Sequence, residues 1–300
     1  MGHYGKLAQI FLLACAVLGL TARANEQAPP AMQVVLLGTG FPRPDPNRAG
    51  PSAAIVMGEK FFIVDAGRGV VLRLAATDLQ LKNLQAVFLT HLHSDHTEGL
   101  PDLFNSSWIF GRKEPLELYG PRGTKQMAAA LVKFFAADIH IRRDLTEMQP
   151  AAGATIHTHI VNEGLVYHDE NVRVTAFAVD HHPVEPAFGY RFESGGKSIV
   201  ISGDTRPSEN LILFSKGADI LVHEACLPEY FDAHDTPEVA ARLKQYHTSA
   251  EDAGKVAQAA GVKMLVLTHL VPGNDDQAYL ERAGKFYKGK IVVGRDLMRF

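Results

Sequence analysis

Thr90-His91-Leu92-His93-Ser94-Asp95-His96 crowds three imidazoles and a carboxylate onto the end of an apolar run, Ala86 to Leu89. In an extended segment, residues two apart point to the same side, so His91 and His93 converge on one ion while the chain turns immediately afterwards. Asp95 and His96 then face a second position. Imidazole and carboxylate suit zinc or a similar divalent ion, and water-activating sites of this kind leave one coordination position open. Asp95 and Glu98 also have capping-box spacing, and a carboxylate with two oxygens can cap a helix and hold an ion at once. The chemistry points to a hydrolase.

Outward from this stretch, other apolar runs end in the same kind of side chain. Ser198 to Ile201 runs into Gly203 and Asp204, Lys263 to Leu267 into Thr268 and His269, and Val172 to Val179 into Asp180, His181 and His182. Asp and His often simply terminate strands, but four such endings in one chain favour a shared site, and ligands commonly bind at the carboxyl ends of strands in layered α/β proteins. Gln33 to Leu37, Ala53 to Val56 and Lys60 to Val64 read as a starting sheet, with Gly58-Glu59 as a tight connection. Helical patterns cover Val70 to Ala76, Leu100 to Phe110, Gly123 to Ala137, Ser249 to Ala260 and Asp275 to Phe286, and Lys290 to Val293 is a closing strand. The proline-rich Phe41 to Ser52 is expected as an ordered surface loop that rims the site. This is an α/β chain, and its mixed elements suit two sheets packed face to face with helices outside.

The motif at Thr90 to His96 resembles that of the metallo-β-lactamase superfamily, and the likeness runs from about Met32 to Phe300. Finer signs resemble the branch that holds ribonuclease Z and certain bacterial arylsulfatases. They are Leu37-Gly38-Thr39-Gly40, Val64-Asp65-Ala66-Gly67, Leu118-Tyr119-Gly120-Pro121, Phe188-Gly189-Tyr190-Arg191, Ser202-Gly203-Asp204-Thr205 and His223-Glu224-Ala225. The resemblance implies a four-layer αββα sandwich with two divalent metal ions, zinc first and manganese or iron as alternatives. His91, His93 and His181 would hold one ion, Asp95, His96 and His269 the other, and Asp204 would bridge them. His181 is the closer match, with His182 left open. A metal-bridging hydroxide would be the nucleophile, with Asp95 orienting it. Glu224 and His247 would form a carboxylate-imidazole pair that donates the leaving group's proton, unless His247 simply precedes a helix. One departure is that the Phe188 motif runs almost directly into the Ser198 strand, leaving no room for the long tRNA-gripping arm of many ribonuclease Z enzymes.

Three hundred residues, 46% of them hydrophobic, can bury a full core, and residues 32–300 read as one hydrolase domain. Ahead of it, Lys6, the apolar stretch Leu7 to Leu20 and Ala22-Arg23-Ala24 fit a cleavable secretory leader over residues 1–24, with a flexible segment at 25–31. The expected location is periplasmic or secreted, and no later segment is apolar enough to span a membrane. Leu12-Leu13-Ala14-Cys15 faintly resembles a lipoprotein site, but the apolar run continues past Cys15. Cys226 alone would remain in the mature chain, so no internal disulfide forms; a buried residue near the site or a site-lining thiol are its two readings.

A net charge of −3 argues against nucleic acid as a partner, since Arg112-Lys113 and Arg142-Arg143 are short clusters. Export and the missing arm push the same way. The expectation is therefore a dinuclear hydrolase of a small-molecule sulfate or phosphate (di)ester. A lactone or β-lactam hydrolase with the same centre, or a non-catalytic metal-binding protein, are the alternatives, and a homodimer is compatible with either. Arg48, Arg191 and Arg206 are candidate anchors for an anionic ester. Trp108, Phe110 and Phe188 are candidates for an apolar wall. His223 reads as a supporting or core histidine, and His140, His157, His159, His168 and His234 as structural or exposed.

Overall fold

Among the described residues, β-branched and aromatic runs build thirteen strands in two sheets. The computed structural model describes residues 1–2 and 31–300, so the leader at 1–24 and the segment at 25–31 fall largely outside the described residues. The first sheet holds β1 (Gln33–Gly38), β2 (Ser52–Met57), β3 (Lys60–Val64), β4 (Leu84–Phe88), β5 (Leu116–Gly120) and β6 (Ile156–Ile160), side by side in that order. The second holds β7 (Gly164–His168), β8 (Arg173–Ala178), β9 (Phe188–Ser194), β10 (Lys197–Ile201), β11 (Ile220–Cys226), β12 (Met264–Val271) and β13 (Lys290–Val293), again as neighbours in sequence order. In each sheet an antiparallel part gives way to a parallel one, at β3–β4 and at β10–β11.

Alternation along the strands sorts residues into three apolar layers. Val34, Leu36, Phe62, Val64 and Phe88 meet Val174, Tyr190, Phe192, Ile201 and Val222 between the sheets. The opposite faces of the first sheet, with Leu37, Ile63 and Val87, are covered by α1 (Val70–Ala75), α3 (Leu100–Ile109) and α4 (Thr124–Phe134). Those of the second, with Val200, Leu221 and Leu265, are covered by α6 (Glu209–Phe214), α9 (Ala250–Ala260) and α10 (Asp276–Phe286). This is the four-layer αββα sandwich. The remaining helices are α2 (Ser94–Thr97), α5 (Ala136–His140), α7 (Glu229–His234) and α8 (Pro237–Tyr246). Among the described residues no helix is long and apolar enough to cross a membrane.

Ser249 caps α9 by accepting from Asp252 N, and Gly261 ends it in the left-handed region at φ 62°. The helix expected over Gly123 to Ala137 is interrupted at Phe135, after which α5 runs on into a π-helical turn, Ile141–Thr146. Trp108 is buried with its indole N–H donated to Pro150 O, Phe110 is exposed, and Phe188 lies in the inter-sheet core. None of the three walls the site.

Candidate metal centre

The carboxyl ends of β4, β8, β10, β11 and β12 gather the titratable side chains at one edge of the sandwich. His91 and His93 lie in the short segment between β4 and α2, and Asp95 and His96 lie on α2 itself. His181 follows β8 and Asp204 follows β10. His269 sits in β12 at a register shift, where Glu224 pairs with Thr268 but Ala225 pairs with Leu270. That bulge, with His269 in the left-handed region at φ 47°, takes the imidazole out of the strand's alternation and aims it at the site.

The rings of His91, His93 and His181 stand 4.7 to 5.2 Å apart, and with Asp204 they offer ligand atoms all within 4.8 Å of one another. Asp95, His96 and His269 make a second such group. Asp204 faces both. Its Oδ1 is 3.2 Å from His96 Nε2, and its Oδ2 is 3.3 Å from His269 Nε2 and 3.9 Å from His91 Nε2. His181 is buried with Nε2 directed at His93, whereas His182 is exposed and reaches Glu185, so the two neighbours part ways. The α2 cap is not made by Asp95: His93 occupies that position without a side-chain bond, and Asp95 Oδ2 lies 3.3 Å from His269 Nε2.

The donor set fits divalent ions. His91 Nε2 and His96 Nε2 are buried and lack a hydrogen-bond partner, yet both point toward carboxylate oxygens. Burial lowers the pKa of His91, His93 and His181, which favours the neutral imidazole that binds metal. Burial opposes charge on His96 and His269 too. There the neighbouring Asp204, with Asp65 or Asp95, outweighs it, holding His96 well above its usual pKa and His269 at about 9. Burial likewise opposes ionisation of Asp204, but the surrounding His269, His96 and His91 keep its carboxyl well below the usual range. The pocket is built for positive charge.

Asp65, which the sequence offers only within the Val64-Asp65-Ala66-Gly67 motif, follows β3 as Asp204 follows β10, and that likeness is the signal that could have found it. Its Oδ2 accepts from His96 Nδ1 at 2.8 Å, its Oδ1 from Thr90 N at 2.8 Å. Tyr246 O accepts from His181 Nδ1, a backbone contact no side-chain pattern reveals. Glu224 and His247 do meet: His247 Nδ1 lies 2.8 Å from Glu224 Oε2, while Glu224 Oε1 accepts from Thr205 N at 2.6 Å. Burial works against a charged His247, but Glu224 outweighs it and raises the pKa.

The other candidates lie elsewhere. Arg48 is buried and spends its guanidinium on Gly273 O, Thr39 Oγ1 and Gly294 O, bracing the proline-rich loop. Arg191 binds Glu193 and Phe214 O, and Arg206 pairs with Asp180 beside His181. Cys226 is buried in an apolar cluster, where burial pushes its thiol well up; a site-lining thiol is not what is seen. His223 is buried and engages Glu224 O, while His157 and His159 share Glu117 at the edge of the first sheet.

A family model described as a beta-lactamase superfamily domain matches residues 61–270. The chain belongs to the metallo-β-lactamase superfamily, and its fold and gathered His/Asp groups are of that class. Within the superfamily it falls in the ribonuclease Z branch and is accordingly a hydrolase. It is 38% identical over 277 residues to a ribonuclease Z of Mycobacterium sp. strain KMS, covering 89% of this chain and 95% of that protein. A ribonuclease Z of Mycobacterium bovis BCG Pasteur is 38% identical over 278 residues, covering 89% and 97%. Among solved structures, the metallo-beta-lactamase fold protein YhfI of Bacillus subtilis aligns with TM-score 0.70 at 21% identity, over 90% of this chain and 99% of that one. The short form of human tRNase Z aligns with TM-score 0.65 at 24% identity, over 90% and 98%.

These relatives overturn the expectation of a small-molecule sulfate or phosphate ester substrate, and with it the lactone and β-lactam alternative and the argument against nucleic acid. Two physical reasons explain the error. A net charge of −3 sums the whole surface and says nothing of the field in one cleft. The tight turn at Gly195-Gly196 between β9 and β10 does leave no room for an arm, but a relative spanned to 95% by 277 aligned residues has no room for a long insertion either.

Proposed function

We propose that this chain is a dinuclear metal-dependent phosphodiesterase that hydrolyses RNA, with tRNA precursors as its substrate class. The observation that carries the reading is Asp204, whose Oδ1 lies 3.2 Å from His96 Nε2 in one histidine group and whose Oδ2 lies 3.9 Å from His91 Nε2 in the other, in a chain 38% identical to proteins named ribonuclease Z. His91, His93 and His181 would hold one ion, Asp95, His96 and His269 the other, and Asp204 would contribute to both. Zinc suits this mixture of imidazole and carboxylate best. Bound there, two such ions lower the pKa of a water and neutralise charge on the attacked phosphate.

The chain's own groups supply the rest. Asp95, buried and within reach of both histidines of its group, orients the attacking water. The water would lose one proton to solvent as it ionises, its oxygen bonds to phosphorus, the bond from phosphorus to the departing ribose oxygen breaks, and that oxygen takes a proton from His247 Nε2, which solvent then restores. Glu224 holds His247 through Nδ1 so that Nε2 faces Asp204 and His269. The same carboxylate accepts from Thr205 N and so ties the proton donor to the turn that carries Asp204.

The test is cleavage of a tRNA transcript with a 3′ extension by the zinc-loaded chain. Cleavage should stop with a chelator and return with added zinc. His247→Ala should lower kcat by about 10²- to 10⁴-fold while leaving bound metal unchanged. A fully loaded chain that leaves RNA intact overturns the reading. The leader proposed for residues 1–24 is tested separately by the N-terminal mass of the chain recovered from its host. A start at Asn25 supports cleavage after Ala24, and a start at Met1 or Gly2 overturns it.

A further inference from the structure

The two histidine groups share a support that lies outside both. Thr90 Oγ1 is 2.8 Å from Asp65 Oδ2 and 3.0 Å from His91 Nδ1, all three buried. A hydroxyl has one proton to give, and the carboxylate is the stronger acceptor, so Thr90 donates to Asp65 and accepts from His91 Nδ1–H. Asp65 can only accept, so His96 Nδ1 is also a donor, at 2.8 Å to the same Oδ2. Thr90 N–H completes the arrangement on Oδ1. The result is a chain from His91 through Thr90 to Asp65 and on to His96. In the neutral form that binds metal, each imidazole would keep its proton on Nδ1 and leave Nε2, the nitrogen on the Asp204 side, free for an ion.

We propose that the Thr90 hydroxyl is a positioning group through which the single carboxylate of Asp65 sets the tautomer of one ligand at each of two metal positions. The inference rests on the dinuclear reading above. Backbone geometry makes the support rigid: Asp65 is held at φ 59°, and the methyl-bearing side of Thr90 packs on Gly203, where a Cβ would come within 2.9 Å of Thr90 Cβ. Asp65 acts on His96 directly and on His91 only through Thr90. The two substitutions therefore have different signatures. Thr90→Val keeps the shape but leaves His91 Nδ1–H without an acceptor, so it weakens the His91 position alone. Asp65→Asn places an amide nitrogen or a poorer acceptor against two donors, so it weakens both.

The experiment is titration of the full, metal-free chain with zinc followed by calorimetry, and with cobalt followed by its visible absorption. Two ions per chain are expected for the parent. Thr90→Val should lose about 10- to 100-fold in affinity at one position, the range found when a supporting partner of a metal-bound histidine is removed. Thr90→Ser, which keeps the hydroxyl and loses the methyl, should restore both affinities and the cobalt spectrum. Asp65→Asn should show the loss at both positions. Thermal unfolding of the metal-free variants reports folding. If Thr90→Val does not fold, Thr90→Ser and Asp65→Asn carry the test. Equal loss in Thr90→Ser and Thr90→Val, or loss at only one position in Asp65→Asn, overturns the proposal while leaving a two-ion parent intact. A parent that binds fewer than two ions overturns the dinuclear reading and this inference together.

Discussion

Asp204 is the residue on which the two ligand groups depend, because among the described residues its carboxylate is the one buried anion within 4 Å of His91, His96 and His269 together. Replacing it removes an acceptor that faces both groups and takes from His91 the carboxylate 3.9 Å from its Nε2. Asp204→Ala should therefore release both ions rather than one, read as metal content per chain after gel filtration. His93→Ala, at the half-buried side of one group, should release one. At this scale the sequence was informative about chemistry: His91, His93, Asp95, His96, His181, Asp204 and His269 were all singled out and all lie in the pocket. It was silent about support. Asp65, Thr90 and the carbonyl of Tyr246 act through hydrogen bonds to residues 1 to 65 positions away, and residue type alone does not say which partner a buried acceptor will meet.

At the scale of elements, the centre depends on how closely the ends of β4 and β10 approach. Gly203, at φ 63°, lets the turn after β10 pass against Thr90 and Phe188 O, where a Cβ would lie at 2.9 Å from each. Gly203→Ala should cost about 1 to 3 kcal/mol from overpacking, plus the strain of the left-handed backbone, measured by denaturant unfolding. Metal affinity should fall with it, because Asp204 is the next residue. The strands that carry ligands were legible because their β-branched runs end abruptly in Asp or His. The lobe formed by α7 and α8 was not, although it ends at His247 and offers Tyr246 O to His181. Its two helices bury little of themselves, Phe231 in α7 and Ala240 in α8, and what orders the lobe is their contact with Cys226, Val271 and Phe41 across the fold. The bulge in β12 was equally hidden, since a single extra residue leaves the apolar run unbroken.

Across the whole molecule, the C-terminal tail closes the exposed edge of the first sheet. Phe300 N donates to Val34 O, Val34 N to Phe300 O, Leu36 N to Met298 O and Leu297 N to Leu36 O. Asp296, in the same tail, accepts from Thr39 N, Ala49 N and Arg73 and so anchors the proline-rich loop. Deleting residues 296–300 should lower Tm and promote association through the bared edge of β1, read by light scattering on heating. Each lost backbone bond contributes about 0.5 to 1.5 kcal/mol net. The sequence by itself determined the ligand chemistry, the strand ends that deliver it and the layered α/β class, because residue type and periodicity are local properties of the chain. Only the tertiary structure decided that His181 and not His182 turns inward, that Arg48 braces a loop instead of facing substrate, and that one carboxylate supports both histidine groups. Those outcomes depend on which atoms are brought within hydrogen-bonding distance by packing between distant segments, and neither composition nor spacing carries that information.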